Sequence, residues 1–211
     1  MLNHSLLVIV KELNAFLDAI PGAQNADDLV VLGNIGQVDS ATHTSDGTLN
    51  IKDKIVLTVV NIREEKTLKN SLNYSKKNTG PGGSVEYHNP PVFLNSFLLF
   101  SANTNNYTHA LAYLSRVIRF FQSRNVFTHR TVADTVTGLN DYDRLEEFKL
   151  ILDLYSPTFE ELNHLWGTLG GKQIPAVLYQ MRMLEMKHHL VQDSRSVIEE
   201  IVIGEKAIFQ N

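Results

Sequence analysis

The clearest local signals of this chain lie in one segment: Ser156-Pro-Thr-Phe-Glu-Glu-Leu-Asn-His-Leu-Trp-Gly-Thr-Leu-Gly-Gly-Lys-Gln-Ile-Pro175, which continues as Val177-Leu-Tyr-Gln-Met-Arg-Met183. Thr158 has Glu161 three residues further on, the spacing of a capping box, in which hydroxyl and carboxylate satisfy free backbone N–H groups at a helix start. Gly170-Gly171 then supplies a helix stop. The segment therefore predicts a short, capped helix that leads into an apolar strand.

Apolar runs on both sides of this helix predict the strands of a sheet. They lie at 29–32, 55–62, 92–100, 148–155 and 177–187. The runs at 55–62 and 92–100 are apolar at both alternating positions, which suits strands that are covered on both faces. We expect these two strands to pair with each other.

Two longer helices are predicted from apolar residues at three- and four-residue intervals, one over residues 5–20 and one over about 106–124. The strands and helices do not alternate regularly. The order favours an α+β fold, with a mixed or mainly antiparallel sheet of about four to six strands and the N-terminal, long and short helices packed on it.

The second long helix also carries large side chains opposite its apolar stripe. That stripe contains Leu111, Leu114, Val117, Ile118 and Phe121. At about 100° per residue, the far side carries aromatic and basic residues that need a partner to cover them. We therefore predict a subunit interface at Tyr113, Arg116, Phe120 and Arg124.

One domain over residues 1–193 and a tail over residues 194–211 are the expected organisation, since the chain has 211 residues. Residues 64–90 contain lysines, Gly80-Pro81-Gly82-Gly83 and Asn89-Pro90-Pro91, which predict a long, mobile excursion. The tail has β-branched residues around Ile198 to Ile203, and their spacing does not distinguish a helix from a strand. One or the other of these segments is predicted to contact a partner protein. The candidate residues are Lys66, Lys69, Lys76, Lys77, Ile201 and Ile203.

The composition excludes several classes of protein. Lys and Arg number 19 and Asp and Glu number 23, so the charge balance gives no sign of a nucleic-acid partner. The absence of cysteine excludes disulfides, thiolate metal sites and a cysteine nucleophile. The short apolar run at 6–10 and the lack of a long apolar stretch predict cytoplasmic synthesis without a signal peptide and no membrane insertion.

The sequence predicts neither a catalytic residue, nor a cofactor, nor a metal site. His188 and His189 are adjacent, and their rings would point to opposite faces of a strand. His164 lacks a second ligand three or four residues away. The glycine cluster at 80–83 lacks the Gly-Lys-Ser/Thr ending and the strand-turn-helix setting of a phosphate-binding loop. The cluster at 33–36 lacks a third glycine and a helix start.

The segment quoted above resembles the cap, or tail-terminator, proteins of extracellular contractile injection systems, which are phage-tail-like particles. In that family a Pro-x-x-x-Tyr-x-x-Arg strand follows the short helix, and Pro175, Tyr179 and Arg182 occupy those places here. The similarity covers about residues 5–190 in the same order. Further similar blocks are Val59–Asn70, Asn89–Asn95, Tyr107, Leu114–Gln122 and Val126–Thr128.

The resemblance implies a structural subunit rather than an enzyme. Such a subunit joins a ring of six copies, sits on the terminal sheath and inner-tube subunits, ends their polymerisation and stabilises the extended sheath. The partner of the lysines and isoleucines named above would then be the sheath or the tube. The particle would be released from the cell or associated with a membrane. Some relatives are longer at the C-terminus, and no role of that extra part is transferred to this chain.

Three other interpretations remain open from the sequence. A baseplate or tube-adaptor subunit would occupy another position in the same particle. A small hydrolase would use His129 or His164, and a ligand-binding module would need a pocket that the sequence does not indicate.

Overall fold

The computed structural model of the chain describes residues 1–21, 28–37, 51–68, 74–77, 84–87, 89, 91–132, 136, 139–145, 147–186 and 193–196. These described residues group into two compact units, the first within Met1–Glu65 and Phe93–Met186 and the second within Lys66–Val92 and Lys187–Asn211. The helices are α1 (Leu2–Asp18), α2 (Tyr107–Ser123) and α3 (Phe159–Thr168). The strands are β1 (Val30–Leu32), β2 (Lys54–Glu64), β3 (Tyr74–Lys77), β4 (Ser84–Tyr87), β5 (Val92–Asn103), β6 (Val126–Thr128), β7 (Lys149–Tyr155), β8 (Ala176–Met186) and β9 (Asp193–Ser196).

The first unit is built on a six-stranded mixed sheet in the order β1-β2-β5-β8-β7-β6. β1 runs parallel to β2, whereas the β2–β5, β6–β7 and β7–β8 pairs are antiparallel. The N–H of Ala102 donates to the carbonyl of Pro175 at 2.9 Å, which joins the end of β5 to the start of β8. The α+β class and the pairing of the two strongest strands are confirmed.

Helices cover both faces of this sheet because β2 and β5 are apolar on both faces. On one face, Ile55 and Phe100 belong to the core that α1 and α2 complete. On the other face, Val56 and Leu99 pack with Trp166 of α3. The alternation of side chains along each strand thus divides the core into two layers.

Tyr179 lies at the centre of the layer under α1 and α2. Its ring centroid is 4.6 Å from that of Phe121 and 5.8 Å from that of Phe100. Burial raises the pKa of Tyr179 to about 12, because a phenolate would lose its hydration there. The tyrosine of the Pro-x-x-x-Tyr-x-x-Arg pattern is therefore a core residue.

The orientation of α2 differs from the prediction. Phe120 is only 4% exposed and packs against Phe16 and Phe127. The prediction that Phe120 would face solvent unless a partner covered it is therefore wrong. Leu111 and Ile118, which we assigned to the buried stripe, are exposed. The physical reason is the wide apolar arc of the helix, which leaves its rotation open until α1 and β6 cover one side of it.

The edge strand β1 is closed by a side chain of α1. Asn14 donates from Nδ2 to the carbonyl of Val30 and accepts the N–H of Val30 at Oδ1, both at 2.8 Å. These backbone groups point away from β2 and are buried, so they need partners inside the protein. One amide side chain supplies both.

The second unit contains a three-stranded sheet in the order β3-β4-β9, with both pairs antiparallel. The prediction of a loop over residues 64–90 is therefore wrong for β3 and β4. Four-residue strands with polar residues are too short to give a clear periodic signal. β9 spans residues 193 and 194, where we placed the boundary between domain and tail, and its pairing with β4 holds Ser194 in a sheet.

Asn14→Ala tests the closure of the β1 edge. The substitution leaves a buried donor and a buried acceptor of Val30 without partners, and we expect the free energy of unfolding to fall by about 2–4 kcal/mol. Urea denaturation followed by circular dichroism measures this change. Asn125→Ala removes an exposed amide and is the control, with an expected change within about 0.5 kcal/mol; equal stability of the two variants would contradict the prediction.

Tyr179 should make the fold sensitive to alkali. Between pH 10 and about 12 the unfolded chain loses the phenol proton while the folded chain keeps it, so stability that is present below pH 10 is lost as the pH rises. In Tyr179→Phe we expect the free energy of unfolding to fall less steeply over this range, by up to about 1.4 kcal/mol per pH unit. Denaturant titrations at several pH values measure the slope. Below about pH 9, where the phenol is protonated in both states, the wild-type chain and Tyr179→Phe should show the same slope.

Candidate interaction surface

An open apolar groove lies between α2 and α3 in the first unit. Its volume is about 690 Å³, within the range of about 300–1,000 Å³ that is usual for binding clefts. α2 forms one wall, α3 forms the other, and the first residues of β8 form the floor. The described lining residues are Leu99, Tyr107, Leu111, Leu114, Ile118, Leu154, Tyr155, Ser156, Pro157, Leu162, Leu165, Trp166, Gln173, Ile174, Pro175, Ala176, Val177 and Leu178.

The lining of this groove has the chemistry of a protein contact. None of its described lining residues carries a charge, and several large apolar side chains meet water. Leu111 is 45% exposed, Leu154 55% and Tyr107 66%. Contiguous apolar surface of this kind marks sites where another protein segment or a ligand binds.

The α3 wall is fixed by the predicted capping box, which the structure confirms. Thr158 Oγ1 accepts the N–H of Glu161 at 3.2 Å, and Glu161 Oε2 accepts the N–H of Thr158 at 2.8 Å. The hydroxyl of Tyr155 donates to the other oxygen of this carboxylate at 3.0 Å. The bond from the Thr158 backbone, followed by that from Tyr155, lowers the pKa of Glu161, which keeps the cap charged and closed.

The far end of α3 is fixed by the predicted glycine stop. Gly170 and Gly171 have φ values of 103° and 79°, which glycine adopts without steric cost. The N–H of Gly171 donates to the carbonyl of Trp166 at 2.7 Å, so the last turn is closed. Trp166 itself is 7% exposed and forms part of the groove, where it is the chain's single tryptophan.

The α2 wall begins at a second cap and carries a regular seam. Asn106 Oδ1 accepts the N–H groups of Thr108 and His109 at 3.0 and 3.2 Å. Tyr107, Leu111, Leu114 and Ile118 then follow at intervals of four, three and four residues and all line the groove. This spacing could have identified the surface from the sequence, because apolar residues at intervals of three and four form the contact seam in helix–helix packing.

A smaller hollow of about 320 Å³ lies beside the groove on the α3 side of the sheet. Arg63, Tyr155, Glu161 and His164 line it, and the guanidinium of Arg63 lies 5.1 Å from the ring centre of Phe97. Thr168 also lines this hollow, but its hydroxyl donates to the carbonyl of Leu165 at 2.7 Å. His164 thus shares this hollow with Tyr155 and Glu161, which hydrogen-bond to each other at the cap of α3, and with Arg63 of β2.

His129, the other candidate for acid–base chemistry, lies at the end of β6, where its ring packs edge-on against Phe148 at 6.4 Å. Among the residues that the structure describes, no group of three His, Cys, Asp or Glu side chains could hold a metal ion. No described helix is long and apolar enough to cross a membrane.

The four residues predicted for a subunit interface do not form one surface. Tyr113 is half-buried, and Arg116 lies over its ring at 5.9 Å. Phe120 belongs to the core. Arg124 is occupied within the chain, because it donates to Glu12 Oε2 at 2.6 Å and lies over the ring of Phe127 at 4.9 Å. The groove is on a different side of α2.

The residues predicted to contact sheath or tube fall mainly in the second unit. Lys66 lies in a short 3-10 helix, and Lys76 and Lys77 lie on β3. Lys69, Ile201 and Ile203 are outside the described residues. Contacts of these six residues with another protein stay a prediction.

Comparison with solved structures shows similarity to a sheath/tube terminator and to a tube terminating cap. A chain of the PVC sheath/tube terminator, in the extended state of an extracellular contractile injection system, matches 96% of this chain with a TM-score of 0.57 and 12% identity. The anti-feeding prophage cap, described as the AFP tube terminating cap, matches 81% with a TM-score of 0.50 and 11% identity. This chain spans 64% and 57% of the length of those two chains.

No curated protein matches the chain. The family model of the Pvc16 N-terminal domain, in contrast, matches residues 7–200, which is most of the sequence. The resemblance to cap proteins that the sequence suggested is confirmed by this match and by the two structural similarities. This chain is a member of the family defined by the Pvc16 N-terminal domain.

Proposed function

We propose that this chain is a structural cap, or tail terminator, of a contractile phage-tail-like particle. The observation that carries the proposal is the fold: 96% of the chain superposes on part of a sheath/tube terminator, and the family model covers residues 7–200. The two similar structures are both described as terminators, which favours the cap over a baseplate or tube-adaptor subunit. The chain acts through its surfaces and not as a catalyst.

A cap must stop a polymer that grows by repeating one interface. It binds the last layer through a surface that complements the exposed subunits, and it offers no copy of their outward surface for the next layer. We infer a ring of six copies on the terminal sheath and inner-tube subunits. In such a ring each subunit meets its two neighbours through two different patches, because the contact is head to tail.

The charge and composition of the chain support these partners. The formal net charge is −4, with 19 basic and 23 acidic side chains, so the surface offers no strong attraction to nucleic acid or to anionic lipid. Attachment to the particle then depends on shaped, apolar contacts. The groove between α2 and α3 supplies one such contact, and Lys66, Lys76 and Lys77 of the second unit are our predicted contacts to sheath or tube.

Electron microscopy of particles that carry a labelled copy of the chain tests this function. We expect the label at the end of the particle distal to the baseplate, as one ring per particle. Particles assembled without the chain should have tubes of widely varying length, because nothing ends their growth. The control is particles with the labelled Asn125→Ala chain, which should match the wild type in length and labelling.

Two results would contradict the proposal. A label at the baseplate end would identify the chain as a baseplate or adaptor subunit. Normal tube lengths and a stable extended sheath in particles without the chain would exclude a terminating role. Either result leaves the family assignment intact.

A further inference from the structure

The outer edge of β2 is covered by β1 over only part of its length. β1 pairs with residues 55–57, and the hydroxyl of Thr58 donates to the carbonyl of Gly33, just after β1, at 2.7 Å. Among the described residues, none bonds to the backbone of residues 59–63 from this side. The second half of β2 therefore presents an open edge beside the closed edge of β1.

The backbone of Ile62 points away from β5 at this open edge. Ile62 stands opposite Ser96 of β5, as Ile55 stands opposite Ala102. The N–H of Ala102 donates to Pro175, on the β8 side of β5, and Ser96 lies an even number of residues away on the same strand. In an antiparallel pair, a residue opposite such a position also turns its N–H and C=O away from its partner strand. An added strand can therefore bond to both groups of Ile62, whose side chain is 45% exposed.

The neighbours of Ile62 on β2 line the smaller hollow on the α3 side of the sheet. Val60, Asn61 and Arg63 all contribute to it, because the bulge of β2 brings Val60 and Asn61 to the same face. The Arg63 guanidinium is exposed and lies over the ring of Phe97. Among the described residues, none accepts a hydrogen bond from it.

The acidic group of this hollow is already occupied. Glu161 accepts the hydroxyl of Tyr155 on one oxygen and the N–H of Thr158 on the other. His164, which also lines the hollow, adds no acidic group. Arg63 thus keeps its donors for a carboxylate from outside, which a guanidinium binds through two parallel hydrogen bonds.

We propose that an extended segment of another subunit of the particle adds as a strand to residues 59–63 of β2. Its main chain exchanges hydrogen bonds with Ile62, one apolar side chain covers Ile62, and an adjacent acidic side chain enters the hollow and binds Arg63. Adjacent residues of a strand point to opposite faces, so the segment is recognised by an acidic residue next to an apolar one. The inference rests on the proposed function, which supplies the neighbouring subunit.

The described strands of a second copy do not offer a matching edge. β1 is closed by α1, and at β6 the N–H of Thr128 donates to Thr131 Oγ1 at 3.0 Å. The N–H of Leu152 in β7 donates to the carbonyl of Asn125 at 2.9 Å, which leaves only residues 153–155 before the turn into α3. In the second sheet, β3 contains no acidic residue and β9 no apolar one. The occupant is therefore a segment of a different protein.

Ile62→Pro tests the main-chain contact. The substitution removes an N–H that points away from β5, so the β2–β5 ladder keeps its bonds. Labelled chain is added to particles assembled without it, and co-sedimentation measures the affinity. We expect Ile62→Pro to bind at least about tenfold more weakly than the wild type. Ile62→Val, which keeps the N–H and a branched side chain, should bind within about twofold of the wild type, and circular dichroism checks the fold of both variants.

Arg63→Glu tests the side-chain contact in the same assay and carries the test alone if Ile62→Pro does not fold. A carboxylate at this position repels the acidic side chain of the segment, and we expect binding at least about tenfold weaker. Arg130→Glu is the matched control. It makes the same change in net charge at an exposed residue beyond β6 and should bind like the wild type.

Cross-linking from the open edge identifies the partner. The chain contains no cysteine, so Ile62→Cys supplies a single thiol for a photo-activated cross-linker. Irradiation of capped particles, followed by mass spectrometry, should link this position to a subunit other than this chain, in a segment where an acidic residue adjoins an apolar one. Val126→Cys places the thiol on β6 and should not give this product.

Several results would overturn the inference. Wild-type affinity in a folded Ile62→Pro chain or in the Arg63→Glu chain would exclude the contact. A cross-link from position 62 to another copy of this chain, to another part of the same chain, or to nothing at all would exclude the proposed occupant.

Failure of this inference is distinguishable from failure of the proposed function. A labelled ring at the distal end of the particle that survives Ile62→Pro and Arg63→Glu would keep the cap function and remove this contact. A label at the baseplate end that is lost with these two variants would keep the contact and remove the cap function.

Discussion

The pairing of β2 with β5 is the contact on which the rest of the first unit depends. The two strands share a long antiparallel ladder, and both present apolar side chains on both faces. A sheet of this composition is stable in water only when both faces are covered. Helices α1 and α2 therefore pack on one face and α3 on the other. The groove lies where α2 and α3, arriving from opposite faces, leave the beginning of β8 between them.

The Pro-x-x-x-Tyr-x-x-Arg pattern has a physical explanation in this arrangement. Pro175, which has no N–H, stands just before β8 and offers its carbonyl to β5. Tyr179 then points into the core beneath α2, and Arg182 lies on the opposite face of the strand, where it pairs diagonally with Asp153 of β7. In this chain the three residues fix how β8 is built into the sheet, and each is engaged within the chain.

The sequence predicted the elements with strong periodic or capping signals and missed those whose position depends on contacts distant in sequence. The structure confirms the strand at 55–62 and its pairing with 92–100, which follow from the apolar content of the two segments. It also confirms the capping box of Thr158 and Glu161, which depends only on residues close in sequence. The rotation of α2 is decided by α1 and β6, so Phe120 and Leu111 exchanged their predicted environments. The four-residue strands of the second unit depend on pairing with β9, about a hundred residues further along the chain than β4.

The side-chain bridge from Asn14 to β1 has a consequence for assembly. An exposed strand at the margin of a sheet recruits other strands, and this property can extend a sheet without limit across many molecules. In this chain the outward-facing groups of Val30 are already occupied by an amide from α1, so β1 offers no template there for a neighbouring molecule. For the terminating subunit that we propose, the occupied edge at Val30 means that a second polymer cannot start there by strand addition.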